Sequence, residues 1–125
     1  MDVPLLVASG VFVVGAFVHS VPGETMLLRP VLKLDLPEFL GTSWMAARTL
    51  RMAWHLTSVA WLGFAGILAA LAMPATDLAT AVPWIIAGTC VVMAALSLVV
   101  TRGRHVFSWV GSVLVVAAIL WSQFG

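Results

Sequence analysis

Three histidines, His19, His55 and His105, have the widest chemical range of any side chains in this sequence. Near neutral pH an imidazole can give or take a proton, and it is the commonest biological metal ligand. Each histidine has polar company. Glu24 lies just beyond His19, Arg51 lies one helical turn before His55, and Ser58 and Ser108 follow His55 and His105 at the same spacing. Three imidazoles with a carboxylate or a water would suit Zn²⁺ or Fe²⁺. Two imidazoles on facing helices could hold a haem iron from both sides. The same groups could relay protons or hydrogen-bond a quinone. Against these readings, no compact ligand motif such as HExxH or CxxC is present. A single histidine at a helix end is also well placed to cap carbonyls or meet lipid phosphate. Glu24 could serve only to pair with Arg29 or Arg51. The lone Cys90 has no disulfide partner in the chain and sits in an apolar block, where a small buried thiol is the expectation.

The elements that must position these residues are apolar. Of 125 residues, 62% are hydrophobic and 9% are charged, against about 25% charged in a soluble domain. The apolar residues fall in long blocks with short polar punctuation, which makes a bilayer the expected solvent. A net charge of +1 gives no bulk attraction for nucleic acid. The expected fold is all-α, a single domain over residues 1–125. It consists of four transmembrane helices in an up-down-up-down bundle, with an interfacial loop between the first two. The spans are expected at about residues 3–20, 44–73, 83–100 and 105–121. Met1-Asp2 carries no Lys or Arg, as a secretory signal would, so the first block is expected to be a retained helix.

Val21-Pro22-Gly23 should end the first helix, and Pro83 should open the third. In the segment between helices one and two, Leu and Val alternate with Lys33 and Asp35, and the segment is expected to lie in the membrane interface. Thr42 or Ser43 can cap the second helix. Gly103 can take positive φ in the turn Thr101–Arg104. Gly10, Gly15, Gly63, Gly66, Gly88 and Gly111 would let helices approach closely.

Charge gives an orientation. All six Lys and Arg residues, Arg29, Lys33, Arg48, Arg51, Arg102 and Arg104, fall on the side of the first and third connections. The basic side of a membrane protein is cytoplasmic, so both termini are expected outside the cytoplasm. Trp44 and Trp54 would mark the inner interface, Trp84 and Trp121 the outer one. All three histidines and Glu24 would then converge on the cytoplasmic face.

The pattern His19-Ser20-x-x-Gly23-Glu24, then Arg51-Met-Ala-Trp54-His55-Leu-Thr-Ser58, then Arg102-Gly-Arg104-His105 resembles a group of small bacterial four-helix inner-membrane proteins of no assigned activity. The resemblance covers most of the chain and implies a fold and a bacterial inner membrane. The expected function is therefore a membrane protein with a cytoplasmic-face polar cluster (His19, His55, His105, Glu24, with Arg51, Ser58 and Ser108). Metal, haem or quinone is its candidate ligand, and binding is favoured over catalysis. The alternatives are a structural or assembly subunit that docks other membrane helices or its own copies, and a small transporter. The last is weakened by the absence of any charged residue at mid-span.

Overall fold

A computed structural model describes residues 1–125, and it is helical throughout apart from the connections. Four helices, each long and apolar enough to cross a membrane, account for most of the chain: α1 (Val3–Val31), α2 (Ser43–Ala72), α3 (Leu78–Thr101) and α4 (Val106–Phe124). Only 12 of the 125 residues are buried, and Val7, Val11, Val14, Phe17 and Val99 are among the many large apolar side chains that face outward. In water such a surface would be an aggregation liability. It suits a multi-pass membrane protein, whose exterior meets lipid.

Local chemistry explains most boundaries. The Asp2 carboxylate accepts from the Leu5 amide, and the Thr42 hydroxyl accepts from the Met45 amide, so Thr42 is the cap of α2 as expected. The third helix begins earlier than Pro83 suggested. The Asp77 carboxylate accepts from the Ala79 amide and the Thr80 hydroxyl, and this cap starts α3 at Leu78 with Pro83 inside it. The Thr80 hydroxyl, above all, holds the Asp77 carboxyl below the ordinary range against the opposing effect of desolvation, and the Ala79 and Thr80 backbone amides add to it. At the other end of α3, Arg102 and Gly103 both take positive φ, 52° and 74°, and reverse the chain into α4. The fourth helix runs on past Trp121 to Phe124.

The largest departure is in α1. Pro22 and Gly23 do not end it. The helix passes through Pro22, widens into a π-helical stretch over Gly23–Leu28, and finishes at Val31. Proline has no N–H to donate and crowds the preceding turn. The wide turn absorbs that misfit, with the Arg29 amide bonding back to the Glu24 carbonyl. Pro22-Gly23 therefore reshapes the helix here instead of stopping it. The rest of the connection, residues 32–42, is a non-helical link closed by a single bridge between Phe39 and Thr42.

The helices pack in chain order: α1 on α2, α2 on α3 and α3 on α4. The Asp2 amide donates to the Ala72 carbonyl, Arg48 reaches the Val100 carbonyl, and Trp84 meets Phe124 edge-on, so each helix starts beside the end of its neighbour. The α1–α4 interface that would close a bundle is not formed to comparable extent. The layer therefore stays open, with a groove where α1 and α3 flank α2.

Close approach depends on two glycines above all. A β-carbon on Gly23 would lie 2.6–2.8 Å from the Trp54 indole, and one on Gly63 would lie 2.7 Å from the Thr89 hydroxyl. Gly15 and Gly66 are also at contacts, whereas Gly10, Gly88 and Gly111 face open space and bring no helices together.

Candidate functional site

The interface of α1 and α2 holds the polar site. Because α1 continues through Pro22, Ser20 and Glu24 stand one turn apart on the same stretch of helix, opposite Arg51, His55 and Ser58 of α2. His55 uses both ring nitrogens. Its Nδ1 lies 2.7 Å from the Ser20 hydroxyl and its Nε2 lies 3.3 Å from Glu24 Oε2. Arg51 grips the same carboxylate twice, with Nε 3.2 Å from Oε2 and Nη2 2.9 Å from Oε1. Arg29 stands 3.6 Å from Oε1. The Glu24 and His55 side chains retain only 20% and 23% of their exposure, which shields the pair from full solvent screening.

A carboxylate only accepts, so the shared contact assigns the Nε2 proton of His55 and leaves Nδ1 to accept from Ser20. With a second proton, Nδ1 donates to the Ser20 oxygen and frees the Ser20 O–H to donate elsewhere. Protonation of His55 thus reverses the direction of its hydrogen bond to Ser20, while Nε2–H keeps donating to Glu24.

His19 occupies the next position along the same interface. Its Nδ1 lies 3.0 Å from the hydroxyl of Ser58, a buried residue. Its ring stacks on Trp54, with centroids 4.2 Å apart and planes 9° from parallel, and tilts against Trp61. Trp54 fixes the backbone as well: its Nε1–H donates to the His19 carbonyl at 2.9 Å. In an ordinary α-helix that carbonyl would accept from the Gly23 amide, which here bonds to Ser20 instead. Beside this irregular turn the indole gives the His19 carbonyl a donor and packs against Gly23.

The His19, His55, Glu24, Arg51 and Ser58 expected at the site therefore do come together. His105 and Ser108 stay outside. His105 stands at the entrance of α4 with its ring stacked on Phe39 at 6.0 Å, and its Nδ1 is buried without a partner. The Ser108 hydroxyl turns back to the His105 carbonyl. Depth alone does not bring His105 to the others, because α4 packs on α3 and not on α1 or α2 to comparable extent. The full set His19, His55, His105 and Glu24 does not assemble, and nowhere do three His, Cys, Asp or Glu side chains gather around a point a metal ion could occupy.

No protein-family model, curated protein or solved structure matches this chain. Its function must be read from the site.

Two residues that sequence reasoning left out belong to the site, Ser20 and Trp54. The signal for Ser20 was its spacing from Glu24, which ending the helix at Pro22 concealed. Trp54, expected at the depth of the inner membrane interface, also packs in the α1–α2 contact. Ser20, His55 and Ser58 also form the polar part of an otherwise apolar groove of about 390 Å³, whose walls include Phe17 of α1, Leu62 of α2 and Leu96 of α3.

Proposed function

We propose that this protein is a four-pass, up-down bacterial inner-membrane protein. Its α1–α3 groove binds a small amphipathic molecule dissolved in the bilayer, of the quinone type. The polar headgroup would meet Ser20 and His55, and the apolar tail would follow the groove past Leu62 and Leu96. The observation that carries the reading is the concentration of the groove's polarity at Ser20, His55 and Ser58, with aliphatic and aromatic side chains elsewhere. Pockets of this kind use apolar walls for affinity and a few placed polar groups for orientation. A quinone carbonyl accepts hydrogen bonds, and the Ser20 O–H becomes a donor to it when His55 carries a second proton. Glu24 and Arg51 hold the imidazole in place behind it.

Metal and haem are less well supported by the same geometry. Both nitrogens of His55 are engaged, and no third donor stands beside His19 and His55 except the Arg-bound Glu24. The reading is of binding, without a redox step assigned to the chain itself. The clustering of all basic residues at the site's end supports a cytoplasmic placement of that end, with both termini on the opposite side.

The test is binding of a short-chain benzoquinone to the full chain in nanodiscs, followed by quenching of tryptophan fluorescence. Saturable quenching that Ser20→Ala weakens is expected. Non-saturable quenching, equal in the variant and the parent, would reject the site.

A further inference from the structure

A second cavity lies on the basic end of the molecule, distinct in lining from the groove. It has a volume of about 460 Å³, and its walls include Arg29, Lys33, Trp44, Arg48, Arg51 and Leu32. The last turns of α1 supply Arg29, and the first turns of α2 supply Trp44, Arg48 and Arg51. The positive charge continues past it, because Arg48, Arg102 and Arg104 all place their guanidinium carbons 5.2–5.8 Å from the Trp44 ring centre. All six basic side chains of the protein thus lie in or beside one cavity.

These charges are poorly compensated. Glu24 is the only carboxylate that pairs with any of them, and it engages Arg29 and Arg51. Lys33, Arg48, Arg102 and Arg104 have no carboxylate within ion-pairing distance. Asp35 and Glu38 line a separate cavity that shares Leu32 and Trp44 with this one, and they form no ion pair. Arg48 is held in place by its bond to the Val100 carbonyl at 3.1 Å. Holding so many like charges together costs free energy through mutual repulsion, and a bound anion would offset it.

We infer that this cavity binds the phosphate of an anionic phospholipid headgroup. Guanidinium forks match phosphate oxygens in pairs. Trp44 supplies an amphipathic ring suited to headgroup depth. Leu32 offers an apolar contact to the start of an acyl chain. Basic pockets between helices at the cytoplasmic end of membrane proteins hold anionic headgroups in this way. The chemistry recognised is that of a phosphate ester. The supply in a bilayer, together with the apolar and indole walls, favours lipid over free phosphate.

The experiment uses the full chain in detergent, with bound lipid measured by native mass spectrometry after incubation with equal amounts of phosphatidylglycerol and phosphatidylcholine. The parent should retain phosphatidylglycerol preferentially. Lys33→Gln, at a residue whose side chain makes no hydrogen bond or ion pair, should reduce that preference about fivefold. Lys33→Gln with Arg48→Gln should abolish it. If the loss of the Arg48–Val100 bond prevents folding, Lys33→Gln with Arg29→Gln replaces that pair. Equal retention of the two lipids by the parent, or an unchanged preference in the double variant, would overturn the inference. A parallel titration with inorganic phosphate separates the sources. Displacement of phosphatidylglycerol only at high millimolar phosphate supports the lipid, and displacement at micromolar phosphate would contradict it.

Discussion

The sequence contains the segment His-x-x-Ser twice, at His55–Ser58 and at His105–Ser108, and the two do different things. In α2 the histidine lies three turns inside a helix that begins at Ser43, facing α1. Both of its ring nitrogens and its serine's hydroxyl bond across the helix interface. In α4 the histidine is the entrance residue, its Nδ1 is orphaned, and its serine bonds back to its own turn. The difference comes from the neighbours. The α2 segment faces Ser20, His19 and Glu24 on α1, whereas α4 packs mainly on α3. Identical local spacing therefore creates a site only where a second helix supplies the partner groups.

That comparison can be broken at its closest contact. Gly23→Val would push a side chain into the Trp54 indole and separate α1 from α2. A loss of about 3 kcal/mol is expected, at the upper end of ordinary overpacking. Thermal unfolding in detergent reads the loss, and a shifted tryptophan emission reports the displaced indole. Gly111→Ala on α4, where a methyl group meets nothing, should instead be neutral or stabilise by up to about 1 kcal/mol through helix propensity. Equal costs at the two glycines would show that the α1–α2 contact is no tighter than the exposed face of α4.

A smaller effect is expected at the carboxylate. Glu24→Gln keeps the shape but removes the charge that Arg51 and His55 share, and should cost about 1–3 kcal/mol. Combined with Arg51→Gln, it should cost less than the sum of the two single changes, because the pair acts as a unit. Strict additivity in that cycle would dissolve the network.

The histidines themselves come next. His55→Ala should destabilise by about 1–2 kcal/mol, leaving Ser20 and Glu24 short of a partner. His105→Ala should cost less than about 1 kcal/mol, since it loses only ring packing on Phe39. The smallest change is expected at Ser108→Ala, within about 0.5 kcal/mol either way. Ser58→Ala, which leaves the part-buried His19 ring without its hydroxyl partner, should exceed it in the same thermal assay.

The reasons some of this was legible in the sequence are physical. Hydropathy blocks reveal the four spans because lipid requires long apolar helices, and Thr42 and Gly103 are legible because caps and left-handed turns depend on local residue type. The end of α1 was not legible. Pro22-Gly23 reads as a stop until Trp54, distant in sequence, bonds to the His19 carbonyl and packs against Gly23, which favours a continuous helix. With that continuity hidden, the one-turn spacing of Ser20 and Glu24 did not place them on one helical face. Pro83 misled in the opposite sense, because the Asp77 carboxylate with Thr80 makes the stronger start. The separation of His105 was also hidden, because membrane depth follows from the order of spans, whereas lateral neighbours follow from which helices pack.

The most direct test compares the two histidines by ligand affinity. A short-chain benzoquinone is titrated calorimetrically into nanodiscs holding the parent, His55→Ala or His105→Ala. The α1–α2 site predicts affinity weakened at least about tenfold in His55→Ala, equivalent to about 1.4 kcal/mol, and unchanged in His105→Ala. Equal affinity in all three proteins, or equal loss in both variants, would contradict it.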